Sequence, residues 1–249
     1  MAFSGETIWI IGASSGIGAQ LARNLSKQDA HLILSARSQD KLDRLNDELG
    51  GEHTVIAFDI SDFVQVKNAI DHAKTLHSQI DRIICMAGIY EPKAVLDMKE
   101  EDIRNIIDVN LTGVIYFTQC AIKAVRSQRK AQIVACASVA GYVGLPNGQP
   151  YSASKAGLIN FMQSLYLEAE NHIDIKMICP GFVETPLTEK NNFDMPFIMS
   201  AEGAAHEIEK GLLSKKFEIH FPKKLTRSLK IISILPNALK FMICAKFKT

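Results

Sequence analysis

Six short apolar runs rich in β-branched residues, at positions 7–11, 31–35, 54–58, 82–85, 132–135 and 173–178, are separated by longer amphipathic stretches. Parallel strands cannot be joined by a tight turn; each needs a crossover of about a dozen residues or more, which a helix supplies. The alternation therefore predicts βαβ units and a parallel sheet with helices on both faces. Strands covered on both faces have no polar side, and Ile8-Trp9-Ile10-Ile11 and Leu32-Ile33-Leu34 show none. A seventh strand is expected at 217–221, just before Pro222. No linker, low-complexity block or longer repeat interrupts the rhythm, so the 249 residues are expected to form one α/β domain.

Composition narrows the functional classes. Apolar residues make up 47% of the chain and charged residues 22%, which suits a packed core rather than disorder. A net charge of +1 gives no reason to expect a nucleic-acid partner. Cys85, Cys120, Cys136, Cys179 and Cys244 form no C-x-x-C pair and stand at no zinc-ligand spacing with histidine. They are expected to be reduced thiols in a cytoplasmic chain, with no metal. No basic segment followed by an apolar one precedes Thr7, and no apolar stretch reaches the roughly 20 residues of a membrane span, so neither export nor spanning is expected.

The first strand runs into Gly12-Ala13-Ser14-Ser15-Gly16-Ile17-Gly18 and then into a helical pattern through Leu21 and Leu25. Glycines here permit a tight turn, close approach of backbone to a pyrophosphate, and tight helix–strand packing, while the helix start offers free N–H donors. The loop, in this place, is suited to a dinucleotide and makes the expected architecture a Rossmann-type doubly wound sheet. There is no Gly-Lys-Ser/Thr ending, which disfavours a nucleoside triphosphate. After the second strand, Arg37 stands where an acid would otherwise accept from a ribose 2′-hydroxyl. A guanidinium pairs with a 2′-phosphate instead, so NADP is expected over NAD.

Tyr151 and Lys155 are four residues apart at the start of a helical stretch after Pro150, so they share one face. A free phenol has a pKa of about 10, and an adjacent ammonium is expected to lower it toward a useful acid/base value. Ser138 follows the fifth strand, at the carboxyl edge where open α/β sheets bind ligands. Taken in order, the glycine loop, Asp59, Ala87-Gly88, Asn110, Ser138, Tyr151 with Lys155, and Pro180-Gly181 with Thr185 resemble the short-chain dehydrogenase/reductase family over nearly the whole chain.

The resemblance implies hydride transfer between a nicotinamide cofactor and a carbonyl or alcohol of a small substrate. Tyr151 is the implied general acid/base, Ser138 the hydrogen-bond donor to the substrate oxygen, Lys155 the ribose-binding cation, and Asn110 the holder of a relay water. Gly12, Ser14, Ser15, Gly16, Ile17, Gly18, Arg37, Asp59, Ile60, Ala87, Gly88, Pro180, Gly181 and Thr185 are the implied cofactor contacts, with Asp59 and Ile60 by the adenine. A homodimer or homotetramer is also implied. Two positions depart from the family pattern: Ile11 stands where threonine is usual, and Cys85-Met86 where Asn-Asn is usual. Both remove polar side chains that brace the sheet and the cofactor loop.

Two segments after strand ends, 141–149 and 182–200, are expected to cover the substrate. The second carries Phe182, Leu187, Phe193, Met195, Pro196, Phe197 and Met199, which suits an apolar substrate. From Lys215 to Thr249 there are nine Lys and Arg residues against one acid, Glu218, a net charge of +8. Residues 1–222 are thus expected to form the dinucleotide-binding catalytic domain, and 223–249 a basic amphipathic extension. That extension is read first as a helix packed on the same domain or on a partner, with a peripheral contact with an anionic membrane as the alternative. The alternative to an enzyme is a catalytically silent dinucleotide sensor or scaffold, which has no need of Ser138 and Tyr151 together.

Overall fold

The computed structural model describes residues 1–245; Lys246 and Lys248, at the end of the basic tail, lie outside the described residues. Seven strands, β1 (Thr7–Ile11), β2 (His31–Ser35), β3 (Thr54–Val55), β4 (Arg82–Cys85), β5 (Ala131–Cys136), β6 (Ile173–Pro180) and β7 (Glu218–Phe221), pair in the order β3-β2-β1-β4-β5-β6-β7. Every pairing is parallel. The helices are α1 (Gly16–Ser26), α2 (Gln39–Glu48), α3 (Phe63–Leu76), α4 (Glu100–Ile107), α5 (Gly113–Val125), α6 (Tyr151–Glu168), α7 (Ala201–Leu212), α8 (Lys223–Ser233) and α9 (Asn237–Cys244). This is the doubly wound, single-domain α/β sheet expected from the strand rhythm.

Side-chain alternation along the strands divides the core in two. Ile8 and Ile10 of β1 pack with Leu21 and Leu25 of α1, Leu42 and Leu45 of α2, and Ile208 and Leu212 of α7. Trp9 and Ile11 face the other way, toward Val66 and Ile70 of α3, Phe117 of α5, and Leu158 and Met162 of α6. Trp9 lies edge-on to Phe58 and Phe117, with ring centroids 6.4 and 5.3 Å away, and its indole N–H donates to Ser35 Oγ at 2.8 Å. A buried indole needs such a partner, and this one ties β1 to β2.

The chain travels outward from β1 to β3, then returns to lay β4 on the opposite side of β1. Connections leaving the carboxyl ends of β1 and β4 therefore diverge to opposite faces and open a crevice between them. The third strand is shorter than the sequence suggests, although its ladder continues as the N–H groups of Ile56 and Phe58 donate to Leu34 and Ala36. Beyond β7, Leu225, Thr226 and Leu229 of α8 are buried, and Lys230 pairs with Glu218 of β7.

Histidines are concentrated at the β2–β3–α3 corner, where Thr54 Oγ1 lies 3.0 Å from His77 Nε2 and the rings of His31 and His77 are 5.1 Å apart. Burial, and then the neighbouring His31, hold His53 and His77 below the usual imidazole range. Burial followed by the Lys230 and Lys223 cations brings His220 down to about 4. All three bind protons more readily unfolded, so stability rises with pH through this window. Their contribution is full above the unfolded value of about 6.5 and is lost as pH falls toward the folded values. We expect the melting temperature to drop between about pH 7 and pH 5, with a shallower slope in His220→Gln. A flat profile over that range contradicts the assignment.

Candidate active site

A cleft of about 760 Å3 opens at the carboxyl ends of the strands. Its floor begins at Gly12 and residues 14–18, passes Arg37, Asp59, Ile60, Ala87 and Gly88, and ends among Ser138, Tyr151, Lys155, Pro180, Gly181 and Thr185. The residues singled out from sequence thus converge on one cavity, with a single exception. Asn110 is fully buried behind the wall rather than on it.

At the glycine loop the backbone passes very close to its neighbours. Gly12 has φ +88°, and a Cβ there would sit 2.7 Å from the amide nitrogen of Ala87; one on Gly18 would sit 2.2 Å from the carbonyl oxygen of Gly12. Side chains would fill this cradle, so only glycine keeps it open. Helix α1 starts here with no side-chain cap from Ser15 and no acid in its first turn. Its leading N–H groups are left to whatever anion occupies the cleft, as a pyrophosphate requires. The residues present therefore fit a dinucleotide.

The departures at Ile11 and at Cys85-Met86 leave the loop braced by main chain. The Met86 N–H donates to the Ile11 carbonyl at 2.7 Å, and the N–H groups of Gly12 and Ala13 donate to the Ser35 carbonyl at 2.7 and 3.0 Å. Cys85 is a buried thiol raised to about 12 by burial and is inert as a nucleophile. Asp59 is not the cap of the following helix: Asp62 holds that position, accepting from the N–H groups of Val64 and Gln65. Asp59 instead accepts from Ser61 N–H and Oγ at 2.9 and 2.7 Å, which fixes the turn that lines the cleft.

Helix α6 begins at Tyr151, so the phenol and, one turn on, Lys155 project from the same face into the cleft. Lys155 is almost fully buried; its ammonium donates to the Cys136 carbonyl at 2.8 Å and lies 5.7 Å from the Tyr151 ring centroid. An ammonium carries three donors, and this one lines the cleft with only one committed to that carbonyl. Burial raises the Tyr151 phenol above its ordinary value, opposed by a hydrogen bond with the Ser138 side chain. This differs from the expectation that Lys155 lowers it. The reason is desolvation, which weighs on both groups: it also pulls Lys155 below the usual ammonium range, weakening the cation that would stabilise a phenolate.

Asn110 sits in a π-helical turn, Asp108–Thr112, between α4 and α5. Its Oδ1 accepts from the Ile89 N–H at 2.8 Å and its Nδ2 donates to the Ile89 carbonyl at 2.9 Å. This two-point clamp fixes the strand end that carries Gly88 and Tyr90. Tyr90, not singled out from sequence, lines the cleft with its ring edge-on to Tyr151, centroids 4.9 Å apart, and donates to Asn191 Oδ1 at 3.0 Å. Its place just past a strand end was an available signal. Leu225 and Leu229 of α8 also line the cleft, a contact that no local pattern announces. Of the expected cover residues, Phe182, Leu187, Phe193 and Pro196 line the cleft; Met195, Phe197 and Met199 do not.

A family model described as short chain dehydrogenase matches residues 6–196. The chain belongs to the short-chain dehydrogenase/reductase family. This short-chain dehydrogenase is 34% identical over 190 residues to a 3-oxoacyl-[acyl-carrier-protein] reductase of Rickettsia bellii, covering 76% of the chain and 77% of the relative. Its fold is shared with a short chain dehydrogenase from Burkholderia cenocepacia in complex with NADP, at 22% identity and a TM-score of 0.85 with both chains fully covered. It is shared too with a Burkholderia phymatum member in complex with NAD, at 21% identity and a TM-score of 0.83, covering 92% and 93% of the two chains. Membership makes the protein an oxidoreductase on a dinucleotide-binding fold.

Proposed function

We propose that this short-chain dehydrogenase moves a hydride between NADP and the carbonyl or alcohol of a small apolar substrate, with Tyr151 as general acid/base. The observation that carries the reading is the placing of Ser138, Tyr151 and Lys155 on one wall of the cleft that starts at the glycine loop. The nicotinamide dinucleotide, when bound, supplies or receives the hydride. Tyr151 holds its proton at neutral pH, because burial keeps the phenol high, and gives it to a substrate oxygen. Ser138 shares that oxygen by hydrogen bond and limits the charge that builds there. Lys155 turns its remaining donors to the ribose. Asn110 holds Ile89 in place with its side chain, which leaves a relay water to the main chain of its turn.

Phe182, Leu187, Phe193, Leu225 and Leu229 on the cleft wall favour an apolar substrate portion. The Rickettsia relative's name adds 3-oxoacyl compounds to the carbonyl panel worth trying with NADPH, turnover being followed by absorbance. We place the activity in the cytoplasm, on the pattern of free thiols, and expect a homodimer or homotetramer from family membership. Cofactor choice rests on Arg37, which is exposed at the cleft beside Ser38 and Lys41, with no acid at the end of β2 to repel a 2′-phosphate. Arg37→Ala should raise the KM for NADPH about tenfold while leaving that for NADH nearly unchanged. Equal effects on the two cofactors would remove the argument for NADP.

A further inference from the structure

The outer face of the C-terminal helices has the wrong chemistry for water. In α8 the inward positions are Leu225, Thr226 and Leu229, and the outward row is Lys224, Arg227, Ile231 and then Ile234. In α9 the inward residue is Cys244, while Leu239, Phe241 and Met242 are exposed; Ile234 is 82% and Phe241 64% exposed. A surface helix normally turns its apolar side to the core. This pair presents five large apolar side chains within twelve residues, next to the exposed cations Lys223, Lys224 and Arg227. No Asp or Glu occurs anywhere after Glu218.

We propose that α8 and α9 form a docking surface for an anionic lipid bilayer, lying in the interface with Ile231, Ile234, Leu239, Phe241 and Met242 among the acyl chains and Lys223, Lys224 and Arg227 at the headgroups. Apolar residues beside cations, on helices with no acid of their own, are the composition of an interfacial helix. A second copy of the chain is the competing occupant. A two-fold contact sets a patch against itself, and here it would bring Lys224 and Arg227 against their own copies with no acid on either helix to answer them. A negatively charged surface meets both features at once. No helix among the described residues is long and apolar enough to cross a membrane, so the contact is peripheral. The surface is independent of the hydride-transfer reading and its test does not use activity.

The full chain should be sedimented with vesicles of phosphatidylcholine alone and with about a third phosphatidylserine, at low and high salt. Binding is expected to rise about tenfold or more with phosphatidylserine and to fall with salt. Phe241→Asp combined with Met242→Asp should abolish it, and Lys224→Glu with Arg227→Glu should erase the preference for anionic vesicles. Circular dichroism and melting temperature check that both variants fold. Binding indifferent to phosphatidylserine overturns the proposal, as does binding unchanged in the double-Asp variant. If that variant instead dissociates an oligomer in sedimentation velocity and vesicle binding is absent throughout, the face is a subunit contact and the proposal fails.

Discussion

Tyr151→Phe is expected to bind NADPH as the wild type does and to lose turnover about a thousandfold or more. The substitution removes one oxygen from a ring that keeps its edge-on contact with Tyr90, so the cleft keeps its shape. On the proposed mechanism it takes away the proton bound for the substrate oxygen, and the neighbouring Tyr90 phenol is committed to Asn191 Oδ1. Ser138 is an aliphatic hydroxyl, too weak an acid to stand in for a phenol, and Lys155 is held against the Cys136 carbonyl with its other donors assigned to the ribose. Fluorescence titration of NADPH and steady-state turnover on a carbonyl panel separate the two effects. Normal turnover in the variant would end the acid/base assignment; lost cofactor affinity would show that the phenol has a structural part instead.

Gly18→Ala tests the other half of the cleft. The added methyl would stand 2.2 Å from the Gly12 carbonyl oxygen, backbone against backbone, with no side chain free to rotate away. The loop or α1 must move, at a cost of about 2–4 kcal/mol in stability. If the helix start holds the pyrophosphate, as proposed, NADPH affinity should fall about a hundredfold or more. Gly144→Ala is the control, since its nearest neighbour is the Gln149 amide at 3.9 Å; its stability should lie within about 0.5 kcal/mol of wild type. Thermal melts and NADPH titration of both variants decide the matter, and equal behaviour would show that the cradle is not tight.

What could be read in advance followed from short-range rules. Strand positions came from runs such as Leu32-Ile33-Leu34, since a chain covered on both faces leaves no choice of residue type, and β1, β2 and β4 have the expected bounds. Tyr151 and Lys155 share a helix face because of the helical repeat alone. Features set by distant partners stayed hidden. The Asn110–Ile89 clamp and the π-helical turn that carries it join parts of the chain about twenty residues apart, and the return of α8 over the cleft depends on where β7 ends. The direction of the Tyr151 shift was hidden for the same reason: spacing shows that an ammonium is near, whereas desolvation depends on everything that closes around the pair.

Trp9 is the only tryptophan in the chain, and it is fully buried in the strand that ends at the glycine loop. Its emission is therefore a reporter planted by nature at one address. In the folded protein the emission should be shifted to short wavelength, from a dry indole boxed in by Phe58 and Phe117. A red shift on adding urea marks the instant water reaches the middle of the sheet. Superimposed curves from this colour change and from helix ellipticity would show that the molecule opens as one unit.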